Sequence, residues 1–214
     1  MIHVTDPAPD PRSRADHWEQ VYEGNETDGV SWYQSEPLVS LDLVELLGIG
    51  PDAAVIDVGG GASVLVDALL RRGFADLTVL DISESALEAS RRRVGGGAPV
   101  AWVAHDLLTW DPDRQYDLWH DRAVFHFLSG PETDVYRRLL QRAVSPGGSV
   151  IMATFALDGP EWCSGLPVTR YDATQLASFL APDFTVVEER REAHRTPAGL
   201  DQPFTWIAAQ RNAD

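Results

Sequence analysis

The chain has 214 residues, 44% of them hydrophobic, which gives room for one α/β domain with a substantial core. Its 33 acidic residues against 17 basic ones leave a formal charge of −16, and such a surface repels phosphate, so nucleic acids and anionic membranes are poor partners. The single cysteine, Cys163, forms no internal disulfide, and no apolar run approaches the roughly 20 residues of a membrane span, so a cytoplasmic protein is expected.

Residues 1–14 are rich in proline and charge and read as a disordered N-terminal arm. A single domain is expected over residues 15–214, with 15–48 forming a helical and aromatic N-terminal cover. Two aromatic clusters fall in that cover, Trp18/Tyr22 and Trp32/Tyr33, ahead of the helical run PLVSLDLVELLG. Beyond Pro51, strand and helix patterns alternate. AAVIDVG is a buried strand, and SVLVDALLRR a helix with Ser63 placed to cap it and Gly73 to end it. LTVLDIS is a second strand, followed by the helix SESALEASRRR with Ser83 as cap; Arg91, Arg92 and Arg93 suit its C-terminal dipole. VAWVAHD and YDLWHDRAV are the third and fourth strands. PETDVYRRLLQRAV is a helix with Pro131 in its first turn, and SPGG then turns into the fifth strand, GSVIMATF. DATQLASFLA is a further helix, with Asp172 and Gln175 spaced as a capping box. FTVVEERREAH and PFTWIAAQR leave no room for a helix between them and read as an antiparallel pair at the sheet's edge. This alternation predicts a doubly wound, mainly parallel sheet.

Ligands of open α/β sheets bind beyond the carboxyl ends of the strands. Four strands end there in acids or hydrogen-bonding groups: Asp57, Asp81, Asp106 and the cluster His120, Asp121, Arg122. The loop VIDVGGGAS places Gly59 and Gly61 as a dinucleotide loop would, but Val64 stands where that loop needs its third glycine. No lysine follows, so the loop is not a phosphate-cradling one either, and Gly59, Gly60 and Gly61 allow backbone approach to a ligand of another kind. Asp57 suits an ammonium group. Asp81, about 20 residues on, suits the hydroxyls of an unphosphorylated ribose, with Ile82 offering an apolar face to a base. Asp106 with Leu107 could accept from the exocyclic amine of adenine. Together these describe S-adenosylmethionine better than a nicotinamide cofactor.

The stretches VIDVGGGAS, VLDIS, AHDLL, YDLWHDR and SPGG, in that order, resemble the class I S-adenosylmethionine-dependent methyltransferases over roughly residues 50–155. The resemblance implies a three-layer αβα fold with a seven-stranded sheet whose C-terminal hairpin is antiparallel. It implies Asp57, Gly59 and Gly61 at the methionine moiety, Asp81 at the ribose, and Asp106 with Leu107 at the adenine. Ser63 departs from the family's usual third glycine, at a position where serine caps well. The segment DHWEQVYEGNETDGVSWYQSEP resembles a subgroup whose W-x-x-x-Y helix and aromatic pair fold over the cofactor, here Trp18, Tyr22 and Trp32, with S-adenosylhomocysteine as the product.

Acceptor chemistry is expected after the fourth strand, in HDRAVFHF. Asp121 and His126 are the candidates for a general base, needed only if the acceptor must lose a proton, and His120 is expected beside the cofactor. No metal ligand is assigned. The long connection FALDGPEWCSGLPVTRY is expected to wall the acceptor pocket, with Cys163, Arg170 and Tyr171 exposed to it; Tyr33, Arg122 and His194 complete the substrate candidates. A small-molecule methyltransferase is the first reading and a protein-lysine methyltransferase the second, because DRAV only partly matches the D-K-G-T of the lysine enzymes. A non-catalytic cofactor-binding module and an NAD-dependent reductase complete the alternatives. Oxygen, nitrogen, sulfur and carbon acceptors all stay open, as does the oligomeric state.

Overall fold

The computed structural model describes residues 11–24 and 29–213. Ten residues of the expected arm, 1–10, lie outside the described set, whereas residues 11–14 belong to the first helix, α1 (Pro11–Glu23). In chain order follow α2 (Leu38–Leu46), β1 (Ala54–Val58), α3 (Leu65–Arg71), β2 (Asp76–Asp81), α4 (Glu84–Val94), β3 (Val100–Ala104) and β4 (Tyr116–Arg122). After a short 3-10 turn, Phe125–Phe127, come α5 (Pro131–Ala143), β5 (Val144–Phe155), the small hairpin β6 (Trp162–Cys163) and β7 (Leu166–Pro167), α6 (Ala173–Leu180), β8 (Phe184–Arg195) and β9 (Asp201–Arg211).

Seven strands form one sheet in the order β3-β2-β1-β4-β5-β9-β8. The pairs β1–β2, β1–β4, β2–β3 and β4–β5 are parallel, while β9 runs antiparallel to both β5 and β8. All five residues of β1 are buried, as expected of a parallel strand covered by helices on both faces. Side chains alternate between two cores: Ile56 and Trp119 pack with α5 and α6 on one face, Val55 and Leu118 with α2 and α3 on the other. The result is the expected three-layer αβα arrangement.

The local signals act where they were read, with two shifts. Ser83 Oγ accepts from Ala86 N–H, and Asp172 and Gln175 form the full capping box. Ser63 serves the start of α3 from one residue further out: Val64 is the boundary residue, and Ser63 Oγ accepts from Leu65 N–H at 3.0 Å. The SPGG turn is not outside a strand but a bulge within β5. Tyr116 pairs with Val144 and Leu118 with Ser149, so the four residues 145–148 of β5 stand against the single residue Asp117 of β4, with Gly147 at φ +74.

Candidate active site

The carboxyl ends of β1, β2 and β3 bring Asp57, Asp81 and Asp106 to one edge of the sheet, beneath α1 and the segment around Trp32. Two adjoining cavities open there. The larger, about 900 Å³ including its mouth, is lined by Asp81, Ile82, Asp106 and Leu107 at one end and by Arg122, Phe127, Phe155, Cys163 and Phe204 at the other. Trp18, Tyr22 and Trp32 roof it. The smaller, about 560 Å³, is lined by Asp57, Gly59, Gly60, Ser63, His120 and Tyr33, and it shares Tyr22, Trp32, Val58, Gly59 and Arg122 with the first.

Each carboxylate is held by a different device. Asp57 Oδ1 lies 2.7 Å from His120 Nδ1, and His120 Nε2 lies 2.9 Å from Ser40 Oγ. With the imidazole donating to Asp57, the Ser40 hydroxyl donates to Nε2, which fixes the ring. Asp57 Oδ2 is buried and has no partner. Asp81 Oδ1 accepts from Ser83 N–H and Oδ2 from Gly61 N–H, both at 2.9 Å. Burial raises the Asp81 pKa to about 6, with the nearby charge of Asp57 pushing the same way and the backbone donors only partly offsetting both. Asp106 Oδ1 accepts from Leu108 N–H, while its Oδ2 is buried and without a hydrogen-bond partner.

The glycines fit this geometry closely. Gly59 has φ +66, and a Cβ there would run into Val124; a Cβ on Gly61 would stand 2.5 Å from Asp81 Oδ2 and 2.6 Å from Ala86 Cβ. Only glycine lets the loop close this tightly on the Asp81 carboxylate.

Trp18 and Tyr22, one helical turn apart, stack toward Trp32: the ring centroids lie 6.0 Å (Trp18–Trp32) and 6.1 Å (Tyr22–Trp32) apart. Trp18 also meets Phe127 at 5.2 Å. Two residues missed by sequence reasoning tie this cover down. Arg14 lines the larger cavity, pairs with Glu132 at 2.6 Å and stands 3.7 Å from Asp106. Glu19 accepts from Glu84 N–H at the start of α4, where the helix dipole favours an anion. Arg14, Trp18 and Tyr22 share the i, i+4, i+8 spacing of one helix face, a signal that was available. Ser40 had none.

Several sequence candidates are placed elsewhere. Asp121 lines neither cavity: its carboxylate accepts from Val124 and Phe125 N–H and from the Tyr136 hydroxyl at 2.6 Å. Burial raises its pKa to about 6, and these bonds make it the clamp of the turn after β4 rather than a base facing ligand. His126 is fully buried against Phe127 and Phe155, its Nδ1 accepting from Phe155 N–H, so it too fails as a base. Burial and the charge of Arg122 drive its pKa down to about 3. Arg170 points away, bonded to Gly159 O and Glu161, and Tyr171 packs on Phe125 in the core. His194 lines neither cavity; its Nε2 donates to Ser31 O at 2.9 Å and straps down the cover, while Tyr33 lines only the smaller cavity and an outer groove.

Arg122 and Cys163 do reach the larger cavity. The hairpin turn at Ser164 and Gly165, both with positive φ, folds Cys163 inward, and burial raises its thiol pKa to about 11. Ala123, at φ +73, kinks the chain just after Arg122, a strained conformation held by Ala123 N–H donating to Ala153 O. Among the described residues, no helix is long and apolar enough to cross a membrane.

A family model described as a methyltransferase domain matches residues 55–148. The chain is 28% identical over 109 residues to a malonyl-[acyl-carrier protein] O-methyltransferase of Anoxybacillus flavithermus, covering 50% of this chain and 40% of that protein. It is 33% identical over 111 residues to a trans-aconitate 2-methyltransferase of Rhizobium rhizogenes, covering 52% of this chain and 38% of that one. The chain thus spans about two fifths of the length of these curated relatives. Among solved structures, the Burkholderia thailandensis 1,6-didemethyltoxoflavin-N1-methyltransferase, crystallised with 1,6-didemethyltoxoflavin and S-adenosylhomocysteine, superposes with a TM-score of 0.74 at 23% identity, covering 98% of this chain and 93% of that one. Residues 55–148 thus match a methyltransferase-domain model, and the chain as a whole has the fold of a solved methyltransferase.

Proposed function

We propose that the chain transfers a methyl group from S-adenosylmethionine to a small-molecule acceptor. The observation that carries this is the pair of buried carboxylate oxygens without a hydrogen bond, Asp57 Oδ2 and Asp106 Oδ2 (the latter 3.7 Å from Arg14 Nη1), on either side of Asp81 at one sheet edge. Unmet buried acceptors are costly unless a ligand supplies donors, and an amino-acid ammonium and an adenine amine are donors of the right kind.

In this reading Asp57, fixed by His120 and Ser40, receives the ammonium, while Gly59, Gly60 and Gly61 let the methionine chain approach the backbone. Asp81 receives the ribose hydroxyls, Ile82 and Leu107 enclose the base, and Asp106 accepts from its amine. Bound S-adenosylmethionine supplies an electrophilic methyl on a sulfonium. The faces of Trp18, Tyr22 and Trp32 favour a cation and exclude water, and the turn clamped by Asp121 positions the acceptor wall. A small acceptor is favoured over a protein lysine because the acceptor end of the cavity carries the Arg122 guanidinium, which repels a lysine ammonium.

Calorimetry with S-adenosylhomocysteine and with NADH tests the first half: the former should bind and the latter should not. Tritiated methyl transfer into a size-fractionated cell extract tests the second, with label expected in the small-molecule fraction. Label in protein would instead support the lysine reading.

A further inference from the structure

Among the described residues, Arg122 is the one charged side chain at the acceptor end of the larger cavity, in a chain whose formal charge is −16. Its guanidinium is only partly engaged. Nη1 donates to Trp32 O at 3.0 Å, whereas Nε and Nη2 are buried and have no partner. Among the described residues it forms no ion pair with a carboxylate. Glu192, whose charge reaches it, has its two oxygens taken by Gln34 Nε2 and Trp206 Nε1. Asp57 is held by His120.

The two free donors lie on the same edge of the guanidinium, the edge that pairs side-on with two oxygens of a planar acid. The guanidinium carbon lies over the Phe204 ring, 4.5 Å from its centroid. Arg122 lines both cavities, but Phe204, over which its guanidinium lies, lines only the larger one, with Phe127, Phe155 and Cys163. Among the described residues no base is at hand there: Asp121 and His126 face the core, and burial keeps the Cys163 thiol protonated at neutral pH. An acceptor that arrives already ionised needs none.

We infer that the acceptor bears a carboxylate on an apolar, aromatic-sized body, and that Arg122 holds this carboxylate through Nε and Nη2. The inference rests on the methyltransferase reading for the word acceptor, but its test does not. Benzoate, phenylacetate and cinnamate, each beside its primary amide, are titrated by calorimetry into the full chain, both ligand-free and saturated with S-adenosylhomocysteine. At least one acid should bind about tenfold more tightly than its amide, the scale of a charge-assisted bidentate pair. Arg122→Met should bring acid and amide together, Arg122→Lys should keep part of the preference, and in both variants S-adenosylhomocysteine affinity should stay within about tenfold of the wild type.

Acid and amide binding alike in the wild type would overturn the inference, as would a preference that survives in Arg122→Met. So would a loss of more than about tenfold in S-adenosylhomocysteine affinity in that variant, because the guanidinium would then serve the cofactor's own carboxylate. If Arg122→Met fails to fold, as judged by circular dichroism, the wild-type comparison and Arg122→Lys still decide. Failure of S-adenosylhomocysteine to bind the wild type would refute the proposed function and leave the ligand-free comparison to judge Arg122 separately.

Discussion

Replacing Asp81 by asparagine keeps the shape of the side chain and removes one of its two acceptor oxygens. In the folded chain each oxygen accepts one backbone N–H, from Ser83 and from Gly61, at 2.9 Å. A carboxylate has about four lone-pair sites, so these bonds leave room for roughly two more on the cavity side. The amide NH2 of Asp81→Asn must face one of those N–H groups as donor against donor, and the ligand loses a charged acceptor. Bonds to charged groups are worth about 1.5–3 kcal/mol, so S-adenosylhomocysteine affinity should fall by roughly 10- to 150-fold in isothermal titration. The pH dependence gives a second readout. Burial raises the Asp81 pKa to about 6, so the ionised acceptor is present above that value and lost as pH falls through it. Wild-type affinity should therefore weaken below pH 6, and the component due to Asp81 should be missing in the variant. An affinity within about threefold of wild type, or an unchanged pH profile, would show that Asp81 does not receive the ligand.

His126 is neutral in the folded chain, its pKa pushed from 6.5 to about 3, so the stability it contributes is present above pH 6.5 and lost as pH falls, when the unfolded chain takes up the proton. Urea melts of His126→Asn should lack that component, which approaches about 1.4 kcal/mol per pH unit, while methyl transfer at neutral pH persists; abolished turnover in a folded variant would restore His126 as a base. Tyr136→Phe removes the hydroxyl that donates to Asp121 and accepts from Trp119 Nε1, leaving two buried groups short of a partner. It should cost about 2–4 kcal/mol in denaturant unfolding, and an unchanged midpoint would refute the clamp. Gly59→Ala forces a Cβ into Val124 at φ +66 and should cost about 1–2 kcal/mol in backbone strain before the overlap is counted. Its loss of S-adenosylhomocysteine binding should be partly relieved by adding Val124→Ala, and no relief would count against the overlap.

Much of the fold was legible because it rests on local rules. The alternation of strand and helix patterns, the caps at Ser83 and Asp172, and the acids closing β1, β2 and β3 are set within a few residues of each other. The end of the cavity proposed for the cofactor follows from the same rules, since strand ends in a parallel sheet converge on one edge. The acceptor end was harder to read. Along β4 the side chains alternate, so His120 and Arg122 reach the cavities while Asp121, between them, points to the opposite face and meets Tyr136. That period of two was in the sequence; the hydroxyl waiting on α5 was not. His126 came to lie in the core because the turn after Ala123 folds its ring against Phe155, 29 positions away.

Partners distant in sequence decided the rest. Arg170 was drawn off by Glu161, His194 by the Ser31 carbonyl, and Asp57 was oriented by a His120–Ser40 chain reaching across 80 positions. The amino-acid sequence by itself determined which chemistry stands at the strand ends, because backbone periodicity and capping act over one or two turns. Only the tertiary structure decided which of those groups are left without a hydrogen bond, because that depends on what the rest of the chain brings within hydrogen-bond distance. Three groups emerge in this way: Asp57 Oδ2, Asp106 Oδ2 and the free edge of Arg122.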